Sequence, residues 1–252
     1  MKLIRGGVLF IGLLGVAGAT QAGVTSTWTA TNDYDFRGIS QTAGDPAIQG
    51  SIDYAHASGW YIGAWGSNID FGVDEAASGL EDPGFELDVY TGFTKTLDSG
   101  FSYDVGGVYY TYPEESDFNY VELYGGVGFT TKSGVSIKGK FFYSPDFGGK
   151  TTDGDTPAEY ISTDLTIPLP ANFSILGHAG YSFGDYWDDL KDAGAGDKYF
   201  DYSVGVGYTA GKFSLGLKWV DGSDLKEADG AQYFSSEARA VFTVATTFPW
   251  AE

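Results

Sequence analysis

The sequence predicts an all-β protein, a transmembrane antiparallel up-and-down β-barrel of about twelve strands with short turns at one end and long acidic loops at the other. Three observations carry that expectation. An export signal is followed by no second long apolar run. Segment after segment alternates apolar and polar residues with period two. The connections between those segments alternate between brief and long.

Lys2 and Arg5 precede the apolar run GGVLFIGLLGVAG, which small residues follow in ATQAG. A positive start, a short apolar core and small residues at the end describe a secretory signal peptide. Cleavage is expected after Ala22, with Ala19 as the second site, so residues 1–22 are the signal and 23–252 one barrel domain. No later stretch approaches the ~20 apolar residues of a spanning helix. The chain has no cysteine, so an exported domain of this size must rely on sheet closure or a large core rather than disulfides. Aromatics make up 17% of the residues and glycine accounts for 38 of them, a composition that suits strands, turns and membrane interfaces.

In KFSLGLKW (212–219), Phe213, Leu215, Leu217 and Trp219 take one side of an extended chain, and Lys212, Ser214, Gly216 and Lys218 the other. The same pattern sets Phe85, Leu87, Val89 and Phe93 against Glu86, Asp88, Tyr90 and Thr94. It sets Tyr202, Val204, Val206 and Tyr208 against Asp201, Ser203, Gly205 and Gly207. Strands are expected over 24–37, 47–56, 59–70, 84–96, 100–112, 118–131, 134–144, 158–167, 171–184, 199–209, 212–220 and 235–249. In the third of these Trp60 and Trp65 fall on opposite faces, which leaves its inward side undecided. So many oily faces would need a second covering layer in water, and the chain has none left to supply it. A closed cylinder in lipid needs no such layer and leaves no unpaired backbone edge. The oily faces are therefore expected to meet lipid and the polar faces the lumen.

Short connections (HASG, LDSG, TKSG, LPAN and TAGK) follow every second strand, and the others are longer and polar. This sorting matches tight periplasmic turns and long external loops. The six long connections hold 20 acidic and 4 basic residues, most of the chain's net charge of -20. An acidic mouth raises local cation concentration and repels anions.

The most distinctive stretch is DYDFRGISQTAGDPAIQGSIDYAHASGWYIGAWGSNIDF (33–71). Its D-Y-x-F-R-G-x-S-Q run, Pro46 with Gln49-Gly50, Asp53-Tyr54, Ser58-Gly59 and the later W-G-S-N resemble the opening hairpins of the TorF family of exported outer-membrane porins. A weaker likeness continues through YDVGGVYYTYP (103–113) to the C-terminus. The resemblance implies an outer-membrane barrel more firmly than any particular solute. Barrels of this kind commonly end on an aromatic residue; here the chain ends FPWAE, so Phe248 or Trp250 would take that place.

Alternation assigns Asp33, Asp35, Arg37, Glu86, Asp88, Glu122, Lys138, Lys140, Asp164, Lys212, Lys218 and Arg239 to the lumen, with Asp104 and Asp201 beside them. Arg37, Lys218 and Arg239 would form one basic arc, and Arg37 would either orient anionic groups at the pore mouth or pair with Asp35 or Asp53. Opposed acidic and basic arcs select solutes by charge. The same charges would equally serve as structural pairs in a blocked barrel. A lipid-modifying enzyme would need a nucleophile beside His178; Ser174 and Ser182 stand too far along its strand, which leaves only a partner from another strand. Asp153-Gly154-Asp155 and Asp188-Asp189 with Asp192 do not fit an EF-hand, and no cofactor is called for. The expected partners are outer-membrane lipids and lipopolysaccharide, small solutes, and divalent cations held loosely at the acidic loops; the acidic balance argues against nucleic acid. The expected function is passive diffusion of small polar or charged solutes, and the rival is a surface-interaction barrel with a blocked lumen.

Overall fold

The computed structural model describes residues 22–73, 79–151, 156–192, 197–223 and 236–250. The expected export segment therefore lies outside the described residues, apart from Ala22. Twelve antiparallel strands close into a barrel: β1 (Gly23–Thr31), β4 (Ala47–Ala55), β5 (Trp60–Asn68), β6 (Phe85–Thr96), β7 (Phe101–Thr111), β8 (Tyr120–Thr130), β9 (Ser136–Ser144), β10 (Ala158–Pro168), β11 (Phe173–Phe183), β12 (Tyr199–Ala210), β13 (Phe213–Gly222) and β14 (Arg239–Phe248). Each strand pairs with its sequence neighbour in the barrel. The first and last close the seam, in register from Ser26 opposite Phe248 to Thr31 opposite Thr243. A separate two-stranded ribbon, β2 (Asp35–Phe36) and β3 (Ile39–Ser40), interrupts the connection from β1 to β4. Among the described residues no helix is long and apolar enough to cross a membrane.

The short turns work because each contains a residue that tolerates left-handed backbone. Gly59, Gly100, Gly134, Asn172 and Gly211 all have positive φ, one in each of the five brief connections. The described parts of the long loops lie at the opposite end. One of them carries a helix, α1 (Asp185–Asp192), which buries Trp187 against Tyr199 with ring centroids 4.9 Å apart. Period-two reading did not anticipate this helix, because its eight residues DYWDDLKD are mostly polar and form little more than two turns.

Burial confirms which face is outward. Val204, in the middle of β12, is 59% exposed, and Phe213, Leu217 and Trp219 of β13 are exposed while Gly216 between them is buried. Trp60 is exposed and Trp65 buried, so β5 presents one tryptophan to each side. The interior is the barrel's own core, filled largely by tyrosines: Tyr34, Tyr61, Tyr90, Tyr110, Tyr112, Tyr120, Tyr124 and Tyr160 belong to one buried cluster.

Glycine makes that tyrosine packing possible. A Cβ at Gly63 would come within 2.6 Å of the Tyr90 ring, and Gly92, Gly106 and Gly180 lie in the same way beneath Tyr61, Tyr124 and Tyr160. Each ring lies over a bare backbone on the adjoining strand, which explains why the chain is rich in both residue types. The outer apolar face makes a direct prediction. Val204→Arg is expected to destabilise the barrel in lipid by about 2–4 kcal/mol, the penalty for a cation at the lipid face near the midplane. Denaturant unfolding in vesicles measures it; an unchanged midpoint would show that this face does not meet lipid.

Candidate functional site

The first predicted strand, 24–37, ends at Thr31 in the structure, and the residues after it fold into the lumen. Asp33 and Asp35 therefore lie on the connecting segment rather than on a barrel strand. Local polar bonds shape it: Thr31 Oγ1 donates to the Asp33 carbonyl at 2.7 Å, and Ser40 Oγ donates to the Asp33 carboxylate at 2.5 Å. At the tip, Arg37 has φ 53° and Gly38 φ 83°. Two successive left-handed residues reverse the chain within the β2–β3 ribbon. Gly38 is needed for a second reason, since a Cβ there would meet the Asp201 side chain at 2.7 Å.

The root of this hairpin is held by the last strand. Arg239 of β14 donates from Nε to Asp33, from Nη2 to Asp35 at 2.7 Å and from Nη1 to the Gly38 carbonyl at 3.0 Å. Burial pushes the Asp35 carboxyl, which lies outside the spanning strands, up to about 6, while Arg239 and Lys218 pull it the other way.

The tip crosses the barrel. Arg37 makes a two-pronged bond to Glu122 of β8, with N–O distances of 2.9 and 2.7 Å, and Tyr110 Oη donates to the same carboxylate at 3.0 Å. The guanidinium carbon lies 4.6 Å from the ring centre of Phe36, 5.0 Å from Phe142 and 4.2 Å from Tyr160. Glu122 is only 1% exposed. Arg37 thus does not join Arg239 and Lys218 on a single basic arc, and its partner is neither Asp35 nor Asp53. Alternation could not foresee this, because the rule applies only while the chain remains a strand. Glu86 and Asp88 of β6 are buried at the same end, and Phe36 packs edge-on against Tyr110. The loop half of the lumen is therefore closely packed.

The turn half is more open. Lys140 pairs with Asp104 at 2.9 Å, and Tyr61 Oη donates to the other oxygen of that carboxylate at 2.7 Å. Tyr90 donates to Asp53 across β4, β5 and β6. Asp164, with 53% of its side chain exposed, sits directly opposite Lys138 on β9 and His178 on β11. Lys138 is exposed and Lys218 half-buried, and neither forms an ion pair among the described residues. Each lysine stem instead lies along a glycine of the neighbouring strand: a Cβ at Gly128 would meet Lys138 Cγ at 3.3 Å, and one at Gly205 would meet Lys218 Cγ at 2.9 Å. Acids on β4, β6, β7 and β8 thus face a wall with Lys138, Lys140, Lys218 and Arg239, in which Asp164, Asp201 and His178 are interleaved.

One sequence expectation changes here. Lys212 does not point into the lumen. It lies in the turn before β13, exposed, with its ammonium 4.2 Å from the ring centre of Trp250, which in turn stacks on Phe248 at 4.6 Å. A residue at the strand end has no wall to hold it inward, and the aromatic ring attracts the cation. His178 has partners that sequence spacing could not supply: Asp164 at 2.7 Å, and both Asp201 and Tyr160 at 2.9 Å. All three come from neighbouring strands, and neither Ser174 nor Ser182 is among them.

A closed antiparallel barrel, oily outside and carrying paired charges inside, is porin-like in architecture. The chain belongs to the Gcw_chp family, described as bacterial proteins of unknown function, whose model matches residues 17–248. The fold is similar to that of the NanC porin, with a TM-score of 0.57 over 89% of this chain and 98% of that one at 8% identity. It is likewise similar to the KdgM porin, with a TM-score of 0.55 over 91% of this chain and 100% of that one, also at 8% identity. At such identity the likeness is one of fold. No curated protein matches the chain by sequence.

Proposed function

We propose that this protein is an outer-membrane channel for passive diffusion of small polar or charged solutes, exported through a signal cleaved near Ala22 and related to the TorF porins by its 33–71 motif. One observation carries the reading: an apolar exterior encloses a lumen whose turn half presents Lys138, Lys218 and Asp164 to water. A soluble barrel would reverse that arrangement. The likeness to NanC and KdgM supports a pore-forming fold and leaves the solute open. Lipopolysaccharide phosphates, bridged by divalent cations to the acidic loops, are the proposed outer contact. Recording in planar bilayers tests the channel directly. Discrete conductance steps are expected from folded protein, and silence from both the intact chain and a variant lacking the hairpin would refute it.

A second reading has its own observation. The loop half is packed by the hairpin and by aromatic rings, as in a barrel whose lumen is blocked. On that reading the acidic loops act as an interaction surface, and removing the hairpin exposes no conducting path.

Lys138 and Lys218 give a selectivity test. Lys138→Gln combined with Lys218→Gln removes both cations while leaving Asp104, Asp164 and Asp201 in place. The reversal potential in a salt gradient is expected to shift toward cation preference. An unchanged potential would place both residues outside the conduction path.

A further inference from the structure

Arg37 occupies a cage that the barrel wall builds almost entirely without it. Tyr110, Glu122, Phe142 and Tyr160 come from four consecutive strands, β7 to β10, and only Phe36 belongs to the hairpin. The parts are those a planar cation requires. Glu122 offers two carboxylate oxygens to two guanidinium nitrogens at 2.9 and 2.7 Å, a match that an ammonium cannot reproduce. Phe142 and Tyr160 present rings at 5.0 and 4.2 Å, within cation–π range. Tyr110 fixes the carboxylate with its hydroxyl at 3.0 Å.

The occupant differs in kind from its container. The container stands on paired strands, whereas Arg37 sits on a two-stranded ribbon outside the barrel sheet, at a non-glycine residue with positive φ. Such a backbone is strained and persists only where surrounding contacts impose it. Outside the cage lies a mouth rich in carboxylates, which concentrates cations near the lumen.

We propose that the Tyr110–Glu122–Phe142–Tyr160 cage is a guanidinium-binding site, that Arg37 is its tethered internal ligand, and that solutes bearing a guanidinium group compete for it. As a selectivity element for permeating solutes the cage rests on the channel reading; as a binding site it does not. Exchange of Arg37 for a free guanidinium releases the hairpin tip, so the site couples recognition to opening of the loop half.

Chemical rescue tests this. In Arg37→Ala the cage is vacated, and methylguanidinium is expected to raise the thermal midpoint of the folded, detergent-solubilised barrel, with methylammonium as the ammonium control. Adding Glu122→Gln is expected to weaken that effect roughly tenfold or more, because the charge-assisted bonds are lost. In bilayers methylguanidinium should also lower the conductance of Arg37→Ala and leave that of the double variant unchanged. Should Arg37→Ala not fold, Arg37→Gln replaces it, since glutamine keeps much of the stem without the charge. Equal stabilisation by both cations, stabilisation that survives Glu122→Gln, or none at all would overturn the proposal. Guanidinium-specific stabilisation together with electrical silence would count against the channel and leave the binding site standing.

Discussion

Replacing Tyr34–Ala43 with a short glycine–serine turn is expected to raise the single-channel conductance several-fold. The segment occupies the loop half of the lumen: Tyr34 packs on Trp65 with ring centroids 5.3 Å apart, Phe36 meets Tyr110 at 6.1 Å, and Arg37 reaches Glu122 on the far wall. A twelve-stranded cylinder is intermediate between small barrels filled by side chains and large ones that hold an aqueous channel, so an inserted ribbon decides the free cross-section. The strands flanking the replacement keep their partners, because β1 is paired with β4 along all nine of its residues without help from the ribbon. Conductance equal to that of the intact chain, from a variant that still runs as a compact species before heating, would remove the hairpin from the conduction path.

The largest effect on stability is expected at Glu122. Glu122→Ala leaves the Arg37 guanidinium buried among aromatic rings without its carboxylate. Losing one partner of a buried pair costs about 3–5 kcal/mol. The strain need not be borne by the whole barrel, since the hairpin can leave its seat; limited proteolysis across 33–45 should then become fast while the sheet stays intact. Arg37→Ala together with Glu122→Ala is expected to lose less than the two single losses combined, because neither charge is then stranded. Additive losses would show that the two side chains do not depend on one another, contrary to the geometry.

The barrel strands were readable because their signal is local. Alternation in 84–96 and 199–209 assigns each side chain to a face, and the brief turns carrying glycine or asparagine set the up-and-down order. Alternation can assign a face to a charged residue that stays on a strand, as for Glu86, Asp88, Glu122, Lys138, Lys140, Asp164, Lys218 and Arg239. At strand ends it has no hold. Arg37 comes after a strand that stops six residues earlier, at Thr31, and Lys212 belongs to a turn. Two features offered a warning. The consecutive small and polar residues of GISQTAGD suit turns more than a strand, and Arg37-Gly38 is a plausible reversal point. The Glu122 partnership was invisible, since 85 residues separate it from Arg37 and no periodic rule spans that gap. The His178 cluster was hidden for the same reason: its partners are set by register between β10, β11 and β12, which one strand read alone cannot reveal.

Arg239 stands on the final strand, yet it grips the segment that leaves the first. Its bonds to Asp33 and Asp35 lie at the mouth of the seam where β14 meets β1. The root of the hairpin is therefore fastened only when β14 meets β1, so this part of its seating is tied to the joining of the sheet's two free edges. A half-assembled cylinder would hold its inner ribbon loosely, and the finished one fastens it like a clasp.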